Sequence, residues 1–402
     1  MNARVLIVLS IAVFYVMTAC QSQPQSLGMR MAETLMKTYP DSIVVKKAGE
    51  KIVTRPTEWD YEQGVVLKGI DLLWNQTHDK KYIDYMKKIM DNFVQPDGSI
   101  RTYDSSDYNS DDITPGRILL SLYKYTNDRK YKIAAYHLRT QLTNQPRTNE
   151  GGFWHKLRYP YQMWLDGLYM YGPFYAEFAS TFNQAQSFDD IANQFIWINN
   201  HARDKKTGLL YHGWDESKTQ KWANPQTGCS PQFWGRSIGW YAMALVDVLD
   251  YFPQDHPKRN ELVSIFKQLA SALQNYQDKS SGLWYQIVDK ADAKGNYAEA
   301  SASCMFTYAL AKGARVGYLD ASFSKVAEKG FDGIVKNFID KGEDGCIHLT
   351  HTVSVGGLGG KPYRDGSYEY YLSEPLRVDD LKGMGPFIAA SVELERLKQL
   401  EK

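Results

Sequence analysis

The feature that most constrains this chain is a recurring pair of amphipathic helical segments joined by a short polar loop. Five such pairs are visible, each turning on a loop that contains Asp, Asn or Pro, at 74–90, 123–139, 182–196, 250–266 and 317–331. Longer segments rich in Gly and aromatic residues separate them, at 94–112, 146–162, 204–234, 276–298 and 340–380. This alternation predicts stacked helical hairpins with one elaborated face, which should carry the function.

The hydrophobic periodicity predicts an all-α fold. Twelve helices are expected, near 29–38, 61–76, 79–93, 113–126, 128–143, 163–180, 185–201, 235–251, 256–275, 299–316, 320–338 and 382–399. Six hairpins of unequal length, roughly 50 to 70 residues each, fit a closed double ring of helices better than an open solenoid, whose repeat would be tighter. We therefore predict a single domain, an (α/α)6 barrel, over residues 28–402. Strand-like sequence is confined to short pieces such as 208–214 and 282–288.

The N-terminus predicts export. A basic start is followed by an apolar run over 5–16 and then by Met-Thr-Ala-Cys, which is the layout of a signal peptide and is too short to span a membrane comfortably. Because residues 1–20 end on Ala-Cys, they resemble a lipoprotein signal, which implies cleavage before Cys20 and acylation of its thiol. Residues 21–27 would then be a polar tether, and the protein is expected in the periplasm or anchored to a bacterial membrane.

Charge and cysteine usage exclude several kinds of partner and site. Lys plus Arg number 47 against 46 Asp plus Glu, a net charge of +1, so no global field recruits nucleic acid or an anionic membrane surface. Beyond Cys20, the cysteines Cys229, Cys304 and Cys346 are widely separated and lack CxxC spacing, so neither a disulfide framework nor a structural zinc site is indicated. The 28 Tyr and 10 Trp favour a sugar site, although the same rings could fill a large core.

The strongest candidate for chemistry is Asp166, in the segment GGFWHKLRYPYQMWLDGLYMYGPF. A helix is predicted to begin near Tyr161 or Gln162, which places Asp166 about one turn in, on an otherwise apolar stretch that faces a lumen. A carboxyl flanked by Trp and Leu should be partly desolvated, which suits a general acid. His155 and Lys156 lie in the same segment. The alternative is a buried aspartate with a structural role.

Further candidates lie at the helix starts that follow the other long segments. Asp111 and Asp112 precede a predicted helix, and one of them could simply cap it. Trp234, Arg236 and Trp240 open another helix, where a planar guanidinium between two indoles would suit a sugar that bears a carboxylate. The alternative is that the arginine caps a neighbouring helix while the tryptophans fill the core.

Two further loop segments carry candidate features. His212 lies in GLLYHGWDES, where a loop histidine without a role is an open alternative. Residues 356–375, GGLGGKPYRDGSYEYYLSEP, are rich in glycine but lack the strand before and the helix directly after that a dinucleotide or phosphate loop requires. We therefore reject nucleotide binding and predict a mobile aromatic loop that closes over the mouth of the site.

A series of motifs in this chain resembles glycoside hydrolase family 105, the unsaturated rhamnogalacturonyl hydrolases, and more distantly family 88, the unsaturated glucuronyl hydrolases. In chain order the motifs are WDYEQGV, DDITPGR, GGFWHKxRYPxQMWLDGLYM, YHGWD, FWGRxxGW, EASASCMFTYALAKG and YRDGSYEYYLSEP. The resemblance implies an (α/α)6 barrel acting on oligosaccharides that pectin lyases leave with a 4,5-unsaturated galacturonic acid at the non-reducing end. The implied reaction is hydration of a vinyl ether, not ordinary displacement at the anomeric carbon.

The resemblance also implies roles for individual residues. Asp166 matches the general acid/base that protonates C4 of the double bond and delivers water to C5, after which a hemiketal opens and expels the next sugar, expected to be rhamnose. Asp111 matches a second aspartate that positions the substrate or tunes the first carboxyl, which leaves Asp112 as the capping residue. The resemblance implies a subsite for the unsaturated uronate at Tyr61, His155, Lys156, Trp234, Arg236 and Trp240. Arg236 is suited to the carboxylate of the uronate. The resemblance also implies that His212 lies in this subsite.

No metal or organic cofactor is expected, because the His and Asp residues lack ligand spacing and protonation of carbon by a carboxylic acid needs no electron sink. The expected partner is an oligosaccharide with an unsaturated uronic acid. Two other functions stay open. One is a glycosidase acting on a saturated polysaccharide or on another unsaturated uronide; the other is a non-catalytic glycan-binding lipoprotein, which would need no desolvated carboxyl inside a helix.

Overall fold

The structure, a computed structural model, describes residues 25–44 and 58–400, and helices dominate this part of the chain. The helices are α1 (Leu27–Thr38), α2 (Tyr61–Thr77), α3 (Lys80–Met90), α4 (Gly116–Thr126), α5 (Arg129–Asn144), α6 (Leu165–Thr181), α7 (Ser187–Ala202), α8 (Gly235–Val248), α9 (Arg259–Asn275), α10 (Ala300–Arg315), α11 (Phe323–Phe338), α12 (Tyr368–Ser373) and α13 (Leu381–Leu400). Two short 3-10 turns, Ser105–Asp107 and Ser110–Ile113, precede α4. The predicted all-α class is confirmed.

Short strands join the long connections in antiparallel pairs. The pairs are β1 (Gln162–Trp164) with β2 (Gly213–Asp215), β3 (Ile339–Lys341) with β4 (Ile347–Leu349), and β5 (Thr352–Val353) with β6 (Leu376–Arg377). Of the two predicted strand-like pieces, 208–214 contributes to β2, whereas 282–288 makes only isolated bridges. The predicted signal peptide, 1–20, lies outside the described residues, and α1 already begins at the last residue of the predicted tether.

All twelve predicted helices are present, with ends displaced by at most three residues. The helix boundaries could be predicted because nearby side chains cap the helices. Asp60 forms a capping box with Gln63 at the start of α2, and Asp79, Asp128 and Glu299 cap α3, α5 and α10. The sequence did not predict α12, a helix of six residues inside the glycine- and aromatic-rich segment 340–380. A helix this short carries too few turns to show a hydrophobic period.

Six helices form an inner layer. In chain order α2, α4, α6, α8, α10 and α13 contact one another, and α13 also contacts α2, so the succession closes on itself. Four of these helices, α6, α8, α10 and α13, bury most of their residues, and in α8 every residue is buried. The remaining long helices bury one face each, as α3 does with Tyr82, Ile83 and Met86. This division of apolar surface separates an inner from an outer layer, because only an interior position suits a helix that is apolar all round.

The described part of the chain contains no helix with the length and apolar character needed to cross a bilayer.

Candidate active site

A cavity of about 180 Å³ lies where the N-terminal ends of the inner helices gather. Tyr61 is the first residue of α2, and Asp166, Arg236 and Lys382 are the second residues of α6, α8 and α13. Asp111 comes from the 3-10 turn that precedes α4. Helix N-termini present unpaired N–H groups and the positive end of the helix dipole. This end of the molecule is therefore suited to an anionic ligand.

The structure brings the nine predicted site residues together. Eight of them line the cavity: Tyr61, Asp111, His155, Lys156, Asp166, Trp234, Arg236 and Trp240. The ninth, His212, lies behind Asp166, with its Nε2 atom 2.9 Å from Oδ2 of the carboxylate. His212 therefore contacts the site through Asp166 and not through the cavity wall.

The sequence suggested that Asp166 lies about one turn into a helix. It is instead the second residue of α6. The preceding residues Gln162–Trp164 are strand β1, which pairs with β2 so that Trp164 lies opposite Gly213. The Leu165 N–H also donates to the carbonyl of His212 at 3.0 Å. The helix start is displaced because this pairing with a distant segment takes up the residues before it, and the same pairing carries His212 to Asp166.

The two carboxylate oxygens of Asp166 have different surroundings. The residue is only 8 % exposed. Oδ2 is fully buried and faces His212. The Asp166 side chain lines the cavity. Within the described part of the chain, its Oδ1 atom has no hydrogen-bond partner. Oδ1 is therefore the oxygen available to a ligand.

The neighbouring residues Asp111 and Asp112 occupy different electrostatic environments. Asp111 accepts a hydrogen bond from the ammonium of Lys156, and His155 Nε2 lies 3.7 Å from its Oδ1. Burial alone would raise the pKa of Asp111, but the ammonium of Lys156 outweighs it and holds that pKa below its ordinary value. For Asp112, burial and the adjacent Asp111 raise the pKa to about 8. Asp111 is thus an anion on the cavity wall, and Asp112 is largely protonated at neutral pH.

Neither aspartate caps a helix, so the assignment of Asp112 as the capping residue is wrong. Asn109 caps the 3-10 turn by accepting the Asp111 N–H, and it donates its side-chain amide to Asp112 Oδ1 at 3.0 Å. Pro115 precedes α4 without any side-chain cap. The 3-10 turn moves the start of α4 three residues beyond its predicted position, out of reach of both carboxylates.

His155 is held as a neutral ring against the cavity wall. Burial is the main cause that lowers the pKa of His155 to about 3. Its Nδ1 lies 3.0 Å from the Ser110 hydroxyl, and its ring stacks on Trp164 with the centroids 4.4 Å apart. Trp164 in turn stacks on Tyr159 at 4.8 Å. These rings form a flat wall of the kind that packs against a sugar ring.

Arg236 both braces the start of α10 and lines the cavity. Its Nε donates to Ser301 at 2.8 Å, its Nη2 donates to the Val353 carbonyl, and Nη2 lies 3.6 Å from Glu299, the residue that caps α10. The predicted function in carboxylate binding and the alternative of bracing a neighbouring helix are thus compatible. Within the described residues Nη1 has no hydrogen-bond partner, so this nitrogen is available to a ligand.

The sequence predicted that Arg236 lies between the indoles of Trp234 and Trp240, but only Trp234 lies beside the guanidinium. The guanidinium carbon lies 5.6 Å from the centre of the Trp234 ring. Trp240 instead stacks on Tyr169, with ring centroids 4.8 Å apart. Trp240 still lines the cavity, but as an aromatic wall and not as a partner of the guanidinium.

Sequence reasoning missed several residues that line the cavity, namely Arg158, Tyr159, Trp164, Met170, Val355, Gly356, Arg364 and Lys382. A signal for Lys382 was present, because it opens the last inner helix after a long segment, as Asp166 and Arg236 open theirs. Arg364 donates to the Tyr159 hydroxyl at 2.8 Å across 205 positions of sequence, which no local pattern reveals. Through Gly356 and Arg364 the predicted loop 356–375 reaches the cavity; its mobility stays a prediction.

Cationic side chains outnumber carboxylates in the cavity lining, although Lys156 is paired with Asp111, and Lys382 with Glu62 and Asp380. Two carboxylates, Asp111 and Asp166, face five cationic side chains, which are Lys156, Arg158, Arg236, Arg364 and Lys382. In the described ranges no group of three or more His, Cys, Asp or Glu residues is placed to hold a metal ion. The lining therefore combines an accessible carboxyl, which can exchange a proton, with cations that can hold an anionic sugar.

Comparison with known proteins assigns this arrangement of inner helices, with a carboxyl, an arginine and indoles at one end, to a family of glycoside hydrolases. The chain belongs to Glycosyl Hydrolase Family 88, whose family model matches residues 28–398. Among solved structures it is similar to a family 105 glycoside hydrolase from C. acetobutylicum, with 45% identity and a TM-score of 0.87 over 92% of this chain and 99% of that chain. The resemblance to both families that the motifs indicated is therefore confirmed.

Two curated relatives add to this assignment. A protein from Agrobacterium fabrum is 40% identical over 227 residues, which cover 55% of this chain and 96% of that protein. The unsaturated rhamnogalacturonyl hydrolase YesR of Bacillus subtilis is 28% identical over 286 residues, which cover 70% of this chain and 78% of that enzyme.

Proposed function

We propose that this protein is an unsaturated rhamnogalacturonyl hydrolase built on an (α/α)6 barrel. It would remove the 4,5-unsaturated galacturonic acid from the non-reducing end of rhamnogalacturonan oligosaccharides. The observation that carries the proposal is the carboxylate oxygen Asp166 Oδ1, which faces a small cavity without a protein hydrogen-bond partner among the described residues. The cavity, of about 180 Å³, is small, which favours a single terminal sugar residue over a longer segment of a polysaccharide.

In the proposed reaction the carboxyl of Asp166 acts twice. Its proton passes from Oδ1 to C4 of the double bond, and the positive charge that develops at C5 is shared with the ring oxygen. Water then adds to C5 and gives its proton back to the Asp166 carboxylate, so that one water is consumed and the acid is restored. The resulting hemiketal opens and expels the next sugar. Because no second carboxyl attacks the anomeric carbon, the two-carboxylate geometry of ordinary glycosidases is not required.

The other cavity residues hold the substrate in this scheme. Arg236 offers its unpaired Nη1 to the carboxylate of the uronate, with which a guanidinium forms strong charge-assisted hydrogen bonds. Asp111, kept anionic by Lys156, accepts from sugar hydroxyls. The stacked rings of His155 and Trp164 provide a flat surface for the sugar ring. The helix N-termini around the cavity add to the attraction for the negative charge.

The substrate test is loss of the ultraviolet absorbance of the conjugated uronate when the enzyme is mixed with an unsaturated rhamnogalacturonan disaccharide. A panel of unsaturated disaccharides from pectic, xanthan and glycosaminoglycan sources assigns the sugar that is released. Consumption of only a non-pectic member would make the protein a hydrolase of another unsaturated uronide. Release of reducing sugar from a saturated chain, with no change in absorbance, would favour an ordinary glycosidase. Binding without any turnover would favour the non-catalytic glycan-binding protein.

Replacement of the acid is the sharpest test of the mechanism. Asp166→Asn removes the transferable proton but keeps the size of the side chain, so we expect kcat to fall by roughly 10²–10⁴-fold while the disaccharide still binds. Binding is measured by isothermal titration calorimetry and turnover by absorbance. Asp112→Asn is the matched control, because Asp112 lies off the cavity lining and is largely protonated at neutral pH. Unchanged turnover in Asp166→Asn would exclude Asp166 as the acid.

A further inference from the structure

Two buried polar groups lie in line behind Asp166 and lead to helix α12. His212 Nε2 is 2.9 Å from Asp166 Oδ2, and His212 Nδ1 is 2.6 Å from the hydroxyl of Tyr371. His212 and Tyr371 are both fully buried, and neither lines the cavity. Any influence of Tyr371 on the reaction must therefore pass through His212 to Asp166.

The direction of the bond between Tyr371 and His212 follows from the other partners of the hydroxyl. Within the described chain the Tyr371 O–H has no acceptor except His212 Nδ1. Burial, reinforced by Tyr370 and Asp166, raises the pKa of Tyr371 well above its ordinary value, so the hydroxyl keeps its proton. A hydroxyl that donates to Nδ1 needs a lone pair on that nitrogen. The proton of the neutral imidazole therefore lies on Nε2, the nitrogen that faces Asp166.

We propose that Tyr371 is a positioning residue that fixes His212 as the Nε2–H tautomer, and that His212 in turn keeps the transferable proton of Asp166 on Oδ1. The assignment of that proton to the reaction rests on the proposed function. A proton on Oδ2 would face the proton on Nε2, whereas a proton on Oδ1 leaves Oδ2 free to accept. When water later adds to the substrate, the same N–H stabilises the Asp166 carboxylate that takes up the proton.

The two contacts of His212 differ in alignment. The bond to Tyr371 has good hydrogen-bond geometry. At the other nitrogen the distance to Oδ2 is short, but the N–H is not directed at the oxygen, so both atoms lack a well-aligned partner. The proposal requires the Asp166 carboxylate to rotate about its last torsion, which is soft for Asp, so that Oδ2 accepts from Nε2. Catalytic hydrogen bonds commonly reach good alignment only around the bound substrate.

Other titratable groups surround this pair without bonding to His212. Trp164 contacts the rings of both His155 and His212, with centroids 4.4 and 5.4 Å away, and so lies against both imidazoles. His155 interacts electrostatically with His212 and Asp166. The charges that act on Tyr371, besides Asp166, belong to Tyr370, Arg364 and Asp365. Among the described residues only Tyr371 hydrogen-bonds to Nδ1, so its hydroxyl alone is placed to select the tautomer.

The first test is Tyr371→Phe, which removes the hydroxyl and keeps the ring that stacks on Trp234 at 5.5 Å. We expect kcat to fall by roughly 10- to 100-fold, with KM changed by less than about twofold, because only proton transfer is affected. Tyr241→Phe is the control: Tyr241 is also fully buried and donates one bond, to the Phe195 carbonyl at 3.0 Å, away from the cavity. An unchanged kcat in Tyr371→Phe, or an equal loss in both variants, would overturn the proposal.

A double-mutant cycle tests whether Tyr371 acts through His212. His212→Gln supplies an amide N–H close to the position of Nε2 and has no tautomers to select. In that background, Tyr371→Phe should cost less than about twofold in kcat, so the two substitutions should be strongly non-additive. An equal cost of Tyr371→Phe in both backgrounds would show that the hydroxyl acts by another route.

The tautomer can also be read without any substrate. Nitrogen NMR of the wild-type protein with isotope-labelled histidine should show His212 protonated at Nε2, and Tyr371→Phe should change that pattern. Protonation at Nδ1 in the wild type would overturn the proposal even in an active enzyme. Failure to consume any unsaturated uronide would count against the proposed function instead, so the two failures are distinguishable.

Discussion

The adjacent carboxyls of Asp111 and Asp112 have different charge states in the folded protein. Asp111 faces the ammonium of Lys156 on the cavity wall, which keeps it anionic. Asp112 lies off the cavity lining, and burial next to Asp111 raises its pKa to about 8. Paired titratable groups whose pKa values are pushed apart are a common sign of divided roles in enzymes. We therefore expect Asp111 to bind substrate and Asp112 to act as a neutral packing group.

Asp112→Asn should change the pH dependence of stability. In the unfolded chain an Asp ionises near pH 4, about four pH units below Asp112 in the folded protein. Between these values the folded state holds one more proton than the unfolded state, so wild-type stability falls as pH rises. The amide does not titrate. Relative to the wild type, the variant should gain up to about 1.4 kcal/mol per pH unit between about pH 5 and pH 8.

Thermal unfolding midpoints of the two proteins across this pH range measure the effect. The difference between them should grow in favour of Asp112→Asn as pH rises. A difference that is constant with pH would mean that Asp112 is ionised in the folded protein.

At the scale of elements, the glycine-rich segment packs its backbone directly onto side chains of the site. A Cβ on Gly356 would lie 2.5 Å from the Trp234 ring, and one on Gly357 would lie 2.2 Å from Nη1 of Arg364. The Trp234 ring cannot easily yield, because it donates to Gln286 at 3.1 Å and stacks on Tyr371. These glycines therefore serve close approach to an indole and a guanidinium, consistent with the rejection of a phosphate loop.

Gly356→Ala should displace either the segment or the indole beneath it. Overpacking of this kind costs about 1–3 kcal/mol, so we expect kcat/KM on the disaccharide to fall roughly tenfold or more. Gly342→Ala is the control, since Gly342 does not line the cavity and a Cβ there would meet the carboxylate of Asp344 at 2.7 Å and the ring of His348 at 3.1 Å. Steady-state kinetics of both variants measure kcat/KM on the disaccharide. Equal activity of Gly356→Ala and wild type would show that the segment adjusts at little cost.

At the scale of the whole molecule, a buried charge network ties three inner helices together. Asp247 on α8 accepts from Arg117 on α4 at 2.8 Å, and from Lys312 and Tyr308 on α10 at 2.7 and 2.6 Å. Burial alone would raise the pKa of Asp247, but Lys312 and Arg117 hold it far below its ordinary value. A carboxylate with this many donors links helices that the chain connects only through long segments.

Asp247→Asn should strongly destabilise the protein. The substitution removes the hydrogen-bonded counter-ion of Arg117, which keeps only the more distant Glu177 at 4.0 Å, and leaves Lys312 with Asp250, a loss of about 3–5 kcal/mol. The control is Asp84→Asn, which removes an exposed partner of Lys80 and should cost less than about 0.5 kcal/mol. Urea denaturation of both variants compares the free energies of unfolding. A similar midpoint for Asp247→Asn and wild type would show that the network contributes little.

The helical content, the order of the hairpins and most of the residues that gather at the cavity could be predicted from the sequence. Helix periodicity and caps such as Asp60 and Asp128 arise from interactions within a few residues, so they are legible in the chain. Site residues such as Asp166 and Arg236 were found because each opens a helix after a long segment. Lys382 follows the same rule and could have been found by applying it once more.

Only the folded chain shows which distant side chains are in contact and which charge state each titratable group has. His212 contacts Tyr371 across 159 positions of sequence, and Arg364 contacts Tyr159 across 205. The start of α6 depends on a strand that pairs with 213–215, and the protonation of Asp112 depends on burial. Local propensity acts over one or two helical turns, whereas tautomers, pKa values and strand pairing depend on groups brought together only when the chain has folded.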